Sequence, residues 1–231
     1  MLTDKQIVDF TAGLFLQQSE RDKQKKVGAS NISNPCTRHL AHDLVGTPQG
    51  ESKYWMGARI GTAIHSYLEK AIELTDDPLL DSAIVEKKIT LGEIEGYGTI
   101  SSKPDLVLPN HKHLIDWKSS LRAKVKKLRN LNDGLSSDEG SIYTVKRYVG
   151  QGQLYAWGLN KMGIEIEAIT MLFINRDGTN ETDIWPYTFE YDESIALALW
   201  ARLENLWAEL QDGVHPDSYL ADPNCFSCIL N

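Results

Sequence analysis

The stretch from Gly98 to Ser119, GTISSKPDLVLPNHKHLIDWKS, constrains the fold more than any other part of the chain. It holds two short apolar runs, Leu106–Leu108 and Leu114–Ile115, and each adjoins an acid. Pro109-Asn110-His111-Lys112 separates them, which predicts a tight turn between two strands. Asp105 falls on the first strand and Asp116 on the second. Asp116 and Lys118 are two residues apart, so on a strand their side chains share a face. One hairpin is therefore expected to gather two carboxylates and an ammonium at a sheet edge. Oxygen ligands of this kind suit a hard divalent cation, magnesium or manganese. A D-x-K triplet by itself is common by chance, so its meaning depends on its surroundings.

Apolar spacing predicts helices over residues 4–20, 29–46, 54–74, 143–162 and 192–211. Thr3 or Asp4 would cap the first. In the second, Ser33 or Asn34 would cap, Pro35 and Cys36 would sit in the first turn, and Gly46 would end it. On the third, His65 and Glu69 lie one turn apart on one face. The last reads as core packing. Strands are expected over 84–90, 93–101, 165–175 and 183–191. RDKQKK (21–26) fits a solvated loop or a phosphate contact. Residues 119–143 are rich in Gly, Ser, Asn and Lys and are expected to be mobile; they hold the densest basic cluster, Arg122, Lys124, Lys126, Lys127 and Arg129. The order of elements predicts one α/β domain, a central mixed sheet flanked by helices. It divides into a helical segment at 1–50, a core at 54–191 and a C-terminal helix with a cysteine-containing tail at 192–231.

The formal net charge of −8 argues against a protein that coats nucleic acid by bulk charge, while leaving room for a local basic track. No apolar run reaches membrane-spanning length, about 18 residues. The N-terminus lacks the pattern of a signal peptide, which points to the cytoplasm. Three cysteines make no disulfide framework.

Four motifs occur in order: Gly61, His65 and Glu69 as G-x-x-x-H-x-x-x-E; Asp105 after a glycine-containing strand; Asp116 and Lys118 as D-x-K; and Gln151 with Tyr155 as Q-x-x-x-Y on a helix. Together they resemble the RecB-like branch of the PD-(D/E)xK nuclease superfamily, over roughly residues 30 to 228. The resemblance implies a restriction-endonuclease-like core and a metal-dependent DNA exonuclease of recombination, repair, or phage or CRISPR DNA processing. It implies His65, Asp105, Asp116 and the Trp117 carbonyl as ligands of Mg2+ or Mn2+. Lys118 would orient the attacking water or neutralise developing charge. Gln151 and Tyr155 would brace the site, and Glu69 would support His65 or Lys118.

NISNPCTRHLAHDLVG also resembles the opening segment of iron–sulfur members of this branch, the CRISPR-adaptation and AddB-type nucleases. Cys36 matches their early cysteine, and Cys225-x-x-Cys228 the start of their late group. A third late cysteine is absent. Three outcomes are open: a [4Fe–4S] cluster completed by Asp222, His39 or an outside ligand; zinc on three cysteines and a histidine; or no metal. Arg122, Lys124, Lys126, Lys127, Arg129, Lys146 and Arg147 are the candidate backbone track for DNA, single-stranded or ended. Trp117, Tyr143 and Tyr148 are candidates for stacking on unpaired bases. A helicase, recombinase or integrase partner and a homo-oligomer are compatible with the resemblance. The competing readings are a catalytically silent binding module of this fold and a structure-specific or restriction-type endonuclease.

Overall fold

The computed structural model describes residues 27–47 and 55–229, together with residues 5, 6, 8 and 10. The helix expected over 4–20 lies outside these apart from four positions, and the basic stretch 21–26 lies wholly outside. The described chain opens on a short helix, α1 (Ala29–Ile32), followed by α2 (Thr37–Val45). Asn34 does not cap α2. Its Oδ1 accepts a hydrogen bond from the Cys36 amide at 3.0 Å, so the helix starts later and Cys36 is its N-cap. Gly46 ends α2 in the left-handed region, at φ 69°, where glycine carries no steric penalty.

α3 (Trp55–Glu73) leads into β1 (Ile84–Val85), β2 (Ile89–Ile94) and β3 (Gly98–Ser102). The single strand expected over 84–90 is thus two, broken at Glu86, whose φ is +48°. The strand expected over 93–101 starts later, because residues 93 and 94 finish β2. β2 and β3 form a separate antiparallel pair. Gly92 on β2 has no room for a side chain: a Cβ there would stand 2.5 Å from the Trp200 ring.

β4 (Leu106–Leu108) and β5 (His113–Ser120) form the predicted hairpin, turned through Pro109–His111 with Lys112 left-handed. α4 (Arg122–Asn132), α5 (Glu139–Lys161), β6 (Ala168–Asn175), β7 (Ile184–Glu190), α6 (Glu193–Gln211) and α7 (Phe226–Ile229) complete the order. α4 corrects the mobile segment expected over 119–143. Val125 and Leu128, three residues apart, bury one face, and the basic residues occupy the other. Asp138 then caps α5 by accepting the Ser141 amide at 2.9 Å, which starts that helix earlier than its apolar spacing suggests.

The main sheet runs β1-β4-β5-β6-β7, antiparallel except for the β5–β6 pair. β5 is therefore central, and the hairpin does not lie at a sheet edge as expected. The parallel pair is reached by a crossover through α4 and α5. The major core joins Leu114, Ile169, Met171 and Phe173 of the sheet to α5 and α6. A smaller cluster on the other face joins Leu106, Leu108 and Trp117 to Leu68 and Ile72 of α3. The sheet is mixed and flanked by helices, as the sequence predicts. No helix among the described residues is long and apolar enough to cross a membrane.

Candidate active site

Strand register builds the site. β1 pairs with β4 through Ile84–Val107 and Val85–Leu106, and β4 pairs with β5 through Val107–Leu114 and Leu106–Ile115. Extending both ladders by one residue puts Glu86, Asp105 and Asp116 side by side across three neighbouring chains. The Glu86 amide donates to the Asp105 carbonyl at 3.0 Å, which fixes the first step of that row. Asp105 and Asp116 are each 2% exposed. Two helices close on the row from opposite faces. α3 supplies His65, whose Nδ1 lies 3.1 Å from Asp105 Oδ1. α5 supplies Gln151 and Tyr155.

The other oxygen of Asp105 accepts the Trp117 amide at 2.7 Å. Burial pushes the Asp105 carboxyl up, but hydrogen bonding and charge from His65, with Lys118 and the Trp117 amide, outweigh it and hold the group below its ordinary value. Asp116 goes the other way. Burial dominates, the Asp105 charge adds to it, and Lys118 only partly offsets them, so its pKa rises to about 6. Lys118 is pushed down by burial, yet the Asp116 charge holds its ammonium above the usual lysine value. Asp116 Oδ2 pairs with that ammonium and has no hydrogen-bond partner besides among the described residues.

Lys118 is fixed on further sides. Its Nζ donates to Gln151 Oε1 at 2.9 Å, and Gln151 Nε2 donates to the Tyr155 hydroxyl at 2.8 Å. The Tyr148 ring lies under the same ammonium, 5.0 Å from centroid to Nζ. Gln151 and Tyr155 stand one helical turn apart, so α5 presents them as one unit. Gly152, between them, lets α5 seat on the sheet: a Cβ there would stand 2.7 Å from Ile169 Cγ2.

These groups face a cleft of about 840 Å3, lined by His65, Asp105, Asp116, Lys118, Gln151 and Tyr155 among others. One ligand atom from each of His65, Glu86 and Asp105 falls within 4.8 Å of the others. This nitrogen-and-oxygen set, with the underpartnered oxygen of Asp116 beside it, fits a hard divalent cation. Glu86 is absent from the sequence-based site. No motif marks it in AIVEKK, and its place depends on a register that joins it to residues about twenty positions away. Its positive φ, rare outside glycine, is the local sign of a held position. Lys88 and Lys103 also line the cleft, and Lys103 Nζ pairs with Glu86 at 2.8 Å.

Other expected residues fall elsewhere. Glu69 is half-buried on α3 and does not line the cleft. Gly61 faces Ser119 Cβ at an ordinary 3.8 Å, so that spot does not demand glycine. Trp117 is 4% exposed and packs edge-on against His65, so it is not available to stack on bases. Its amide serves Asp105. None of the seven basic candidates lines the active-site cleft. Lys124, Lys126, Lys127 and Lys146 are exposed. Arg122 pairs with Asp183, Arg129 lies over the Trp185 ring, and Arg147 reaches the Ser30 carbonyl.

The three cysteines meet at a second place. Cys36, the N-cap of α2, joins Cys225 and Cys228 of the tail, with all three sulfurs within 4.8 Å of one another. His39 and Tyr143 lie beside Cys225. Asp222 lends its amide to Cys36 Sγ at 3.5 Å, while its carboxylate accepts the Asn224 amide.

No family model matches the sequence, and no curated protein matches it. Solved structures do. The alkaline exonuclease LHK-Exo from Laribacter hongkongensis superposes with a TM-score of 0.52 at 14% identity, over 83% of this chain and 91% of that one. This chain and LHK-Exo share a fold. A candidate exonuclease from Eubacterium rectale matches with a TM-score of 0.52 at 14% identity, over 94% of both chains. LHK-Exo in complex with dAMP matches at 0.50 and 15% identity, over 81% and 89%.

Proposed function

We propose that the chain is a divalent-metal-dependent DNA exonuclease of the RecB-like branch of the PD-(D/E)xK nucleases. One observation carries the reading: the row Glu86–Asp105–Asp116, flanked by His65 and Lys118, on a fold shared with alkaline exonuclease. His65, Glu86, Asp105 and Asp116 are the residues that would hold the ion. A bound Mg2+ or Mn2+ would acidify a water and stabilise charge on the phosphoryl oxygens. Lys118, held between Asp116 and Gln151, presents an ammonium to the cleft with one donor to spare. It orients the hydroxyl that attacks phosphorus or neutralises the charge that builds there. Gln151 fixes where the ammonium points, and Tyr155 fixes Gln151. Lys88 and Lys103, exposed at the cleft mouth, suit the phosphates of an incoming strand. The dAMP held by LHK-Exo supports a nucleotide as the product. DNA ends and single strands in recombination, repair or phage DNA processing are the substrates this reading favours.

The test is a cleavage time course on end-labelled single- and double-stranded linear DNA and on a closed circle. Magnesium, manganese and metal-free arms run in parallel. Metal-dependent loss of linear DNA with the circle spared is expected. Cutting of the circle would make the protein an endonuclease. Retained DNA binding with no cleavage under any condition would make it a binding module.

A further inference from the structure

The cysteine group lies apart from the carboxylate row and has its own geometry. Resemblance to iron–sulfur nucleases implies a cubane there, but the residues do not fit one. In a [4Fe–4S] cluster each thiolate binds a different iron, with the inorganic core standing between the sulfurs. Here Cys36 Sγ and Cys228 Sγ touch, 3.6 Å apart. The separation matches a single ion instead. Zinc–sulfur bonds of about 2.3 Å at tetrahedral angles place the sulfurs about 3.8 Å apart.

We propose that Cys36, Cys225 and Cys228 bind one zinc ion as thiolates. The surroundings support a charged sulfur group. Arg202, from α6, is within electrostatic reach of Cys36 and ties its guanidinium to the carbonyls of Ile32 and Asn34, the latter at 2.7 Å. His39, beside Cys225, lies 3.3 Å from the Asp43 carboxylate. A carboxylate that fixes a histidine in this way is typical of the surroundings of a metal site. Cys36 receives the Asp222 amide, a donor suited to a thiolate. Asp222 itself is turned away, its carboxylate engaged with Asn224. The ion would staple the opening of α2 to the end of the chain.

The test uses the full chain purified without air from cells grown without added metal. Metal content is read by mass spectrometry and the visible spectrum is recorded before and after cobalt replacement. About one zinc per chain is expected, and the cobalt form should show the intense sulfur-to-cobalt absorption of three thiolates. Cys225→Ser should lower bound zinc at least tenfold. His39→Ala, which leaves all three sulfurs in place, should weaken zinc binding about 10- to 100-fold. A brown protein carrying about four irons per chain would overturn the proposal in favour of a cluster. So would a metal-free chain with three titratable thiols, or with Cys36 and Cys228 joined as a disulfide. None of these readouts depends on nuclease activity.

Discussion

Asp116 offers the sharpest test of the carboxylate row, because burial has moved its proton into an accessible pH range. With a pKa of about 6 it is ionised near pH 7.5 and mostly protonated near pH 5. A cation that uses this carboxylate must displace that proton. Near pH 5 the proton occupies the site about ten times in eleven, so apparent affinity falls about tenfold, or about 1.4 kcal/mol. Magnesium at about 100 times its Kd near neutrality stabilises the fold by about 2.7 kcal/mol. In a chain of this size that raises Tm by about 5–11 °C. At the same magnesium concentration near pH 5 the rise should shrink to about 3–6 °C or less, because the candidate ligand His65 must also be unprotonated. Without metal the signs are mixed. Asp116, raised above its unfolded value, contributes stability at low pH that is lost as pH rises through about 6. Asp105, depressed below its unfolded value, contributes stability at higher pH that is lost as pH falls. Comparing melts with and without magnesium at each pH cancels both. Calorimetry reads the two differences, and magnesium, a hard ion, leaves the thiolate site alone. Asp116→Asn should lose most of the response at both pH values. An equal response at the two pH values in the native protein would refute the titrating ligand, and no response at either would refute the site.

Lys118→Ala should lower the single-turnover cleavage rate on the order of 100-fold while changing DNA affinity by only a few-fold; the reverse split would make Lys118 a phosphate contact. Lys126 and Lys127 are exposed on α4. Replacing both by alanine should reduce the slope of log affinity against log salt by about 1.4–1.8, and an unchanged slope would remove this helix from the DNA path. Gly152→Ala forces a methyl against Ile169 and Met171 Cε, 2.8 Å away, in the packed core. It should destabilise by about 1–3 kcal/mol and lower Tm by about 2–12 °C, and a rise in Tm would show that the sheet yields there.

The hairpin was legible because its signals are local: two apolar runs, a Pro-Asn turn and acids at fixed offsets. The motifs of α3 and α5 were legible for the same reason, since helical spacing alone puts Gln151 beside Tyr155. Glu86 was not. Its role rests on pairing with a strand about twenty residues on, and a two-residue β1 carries no periodicity to read. α4 was missed because only two of its eleven residues are buried apolar, so composition outweighed the pattern. Trp117 misled for a related reason. Its neighbours in sequence face the cleft, while its own side chain turns to the opposite face of β5 and into the smaller core.

α5 makes the two candidate metal centres one structural problem. Tyr143 near its start lines a small pocket with Cys225, Tyr148 more than a turn on lies under Lys118, and Gln151 and Tyr155 hold that lysine from above. A helix fixes these positions relative to one another within a fraction of a turn. Whatever anchors its first turns therefore also sets the aim of the ammonium at Asp116. Tyr143 ties the two by donating to Asn34, the residue that positions the Cys36 amide. Loss of the thiolate group would free the tail and loosen Asn34, Tyr143 and the start of α5 together. The expected signature is a cleavage rate that falls while magnesium affinity at the carboxylate row is retained, since none of the four candidate ligands lies on α5. A fall in both would mean that the cysteines support the whole fold and not the lysine's geometry.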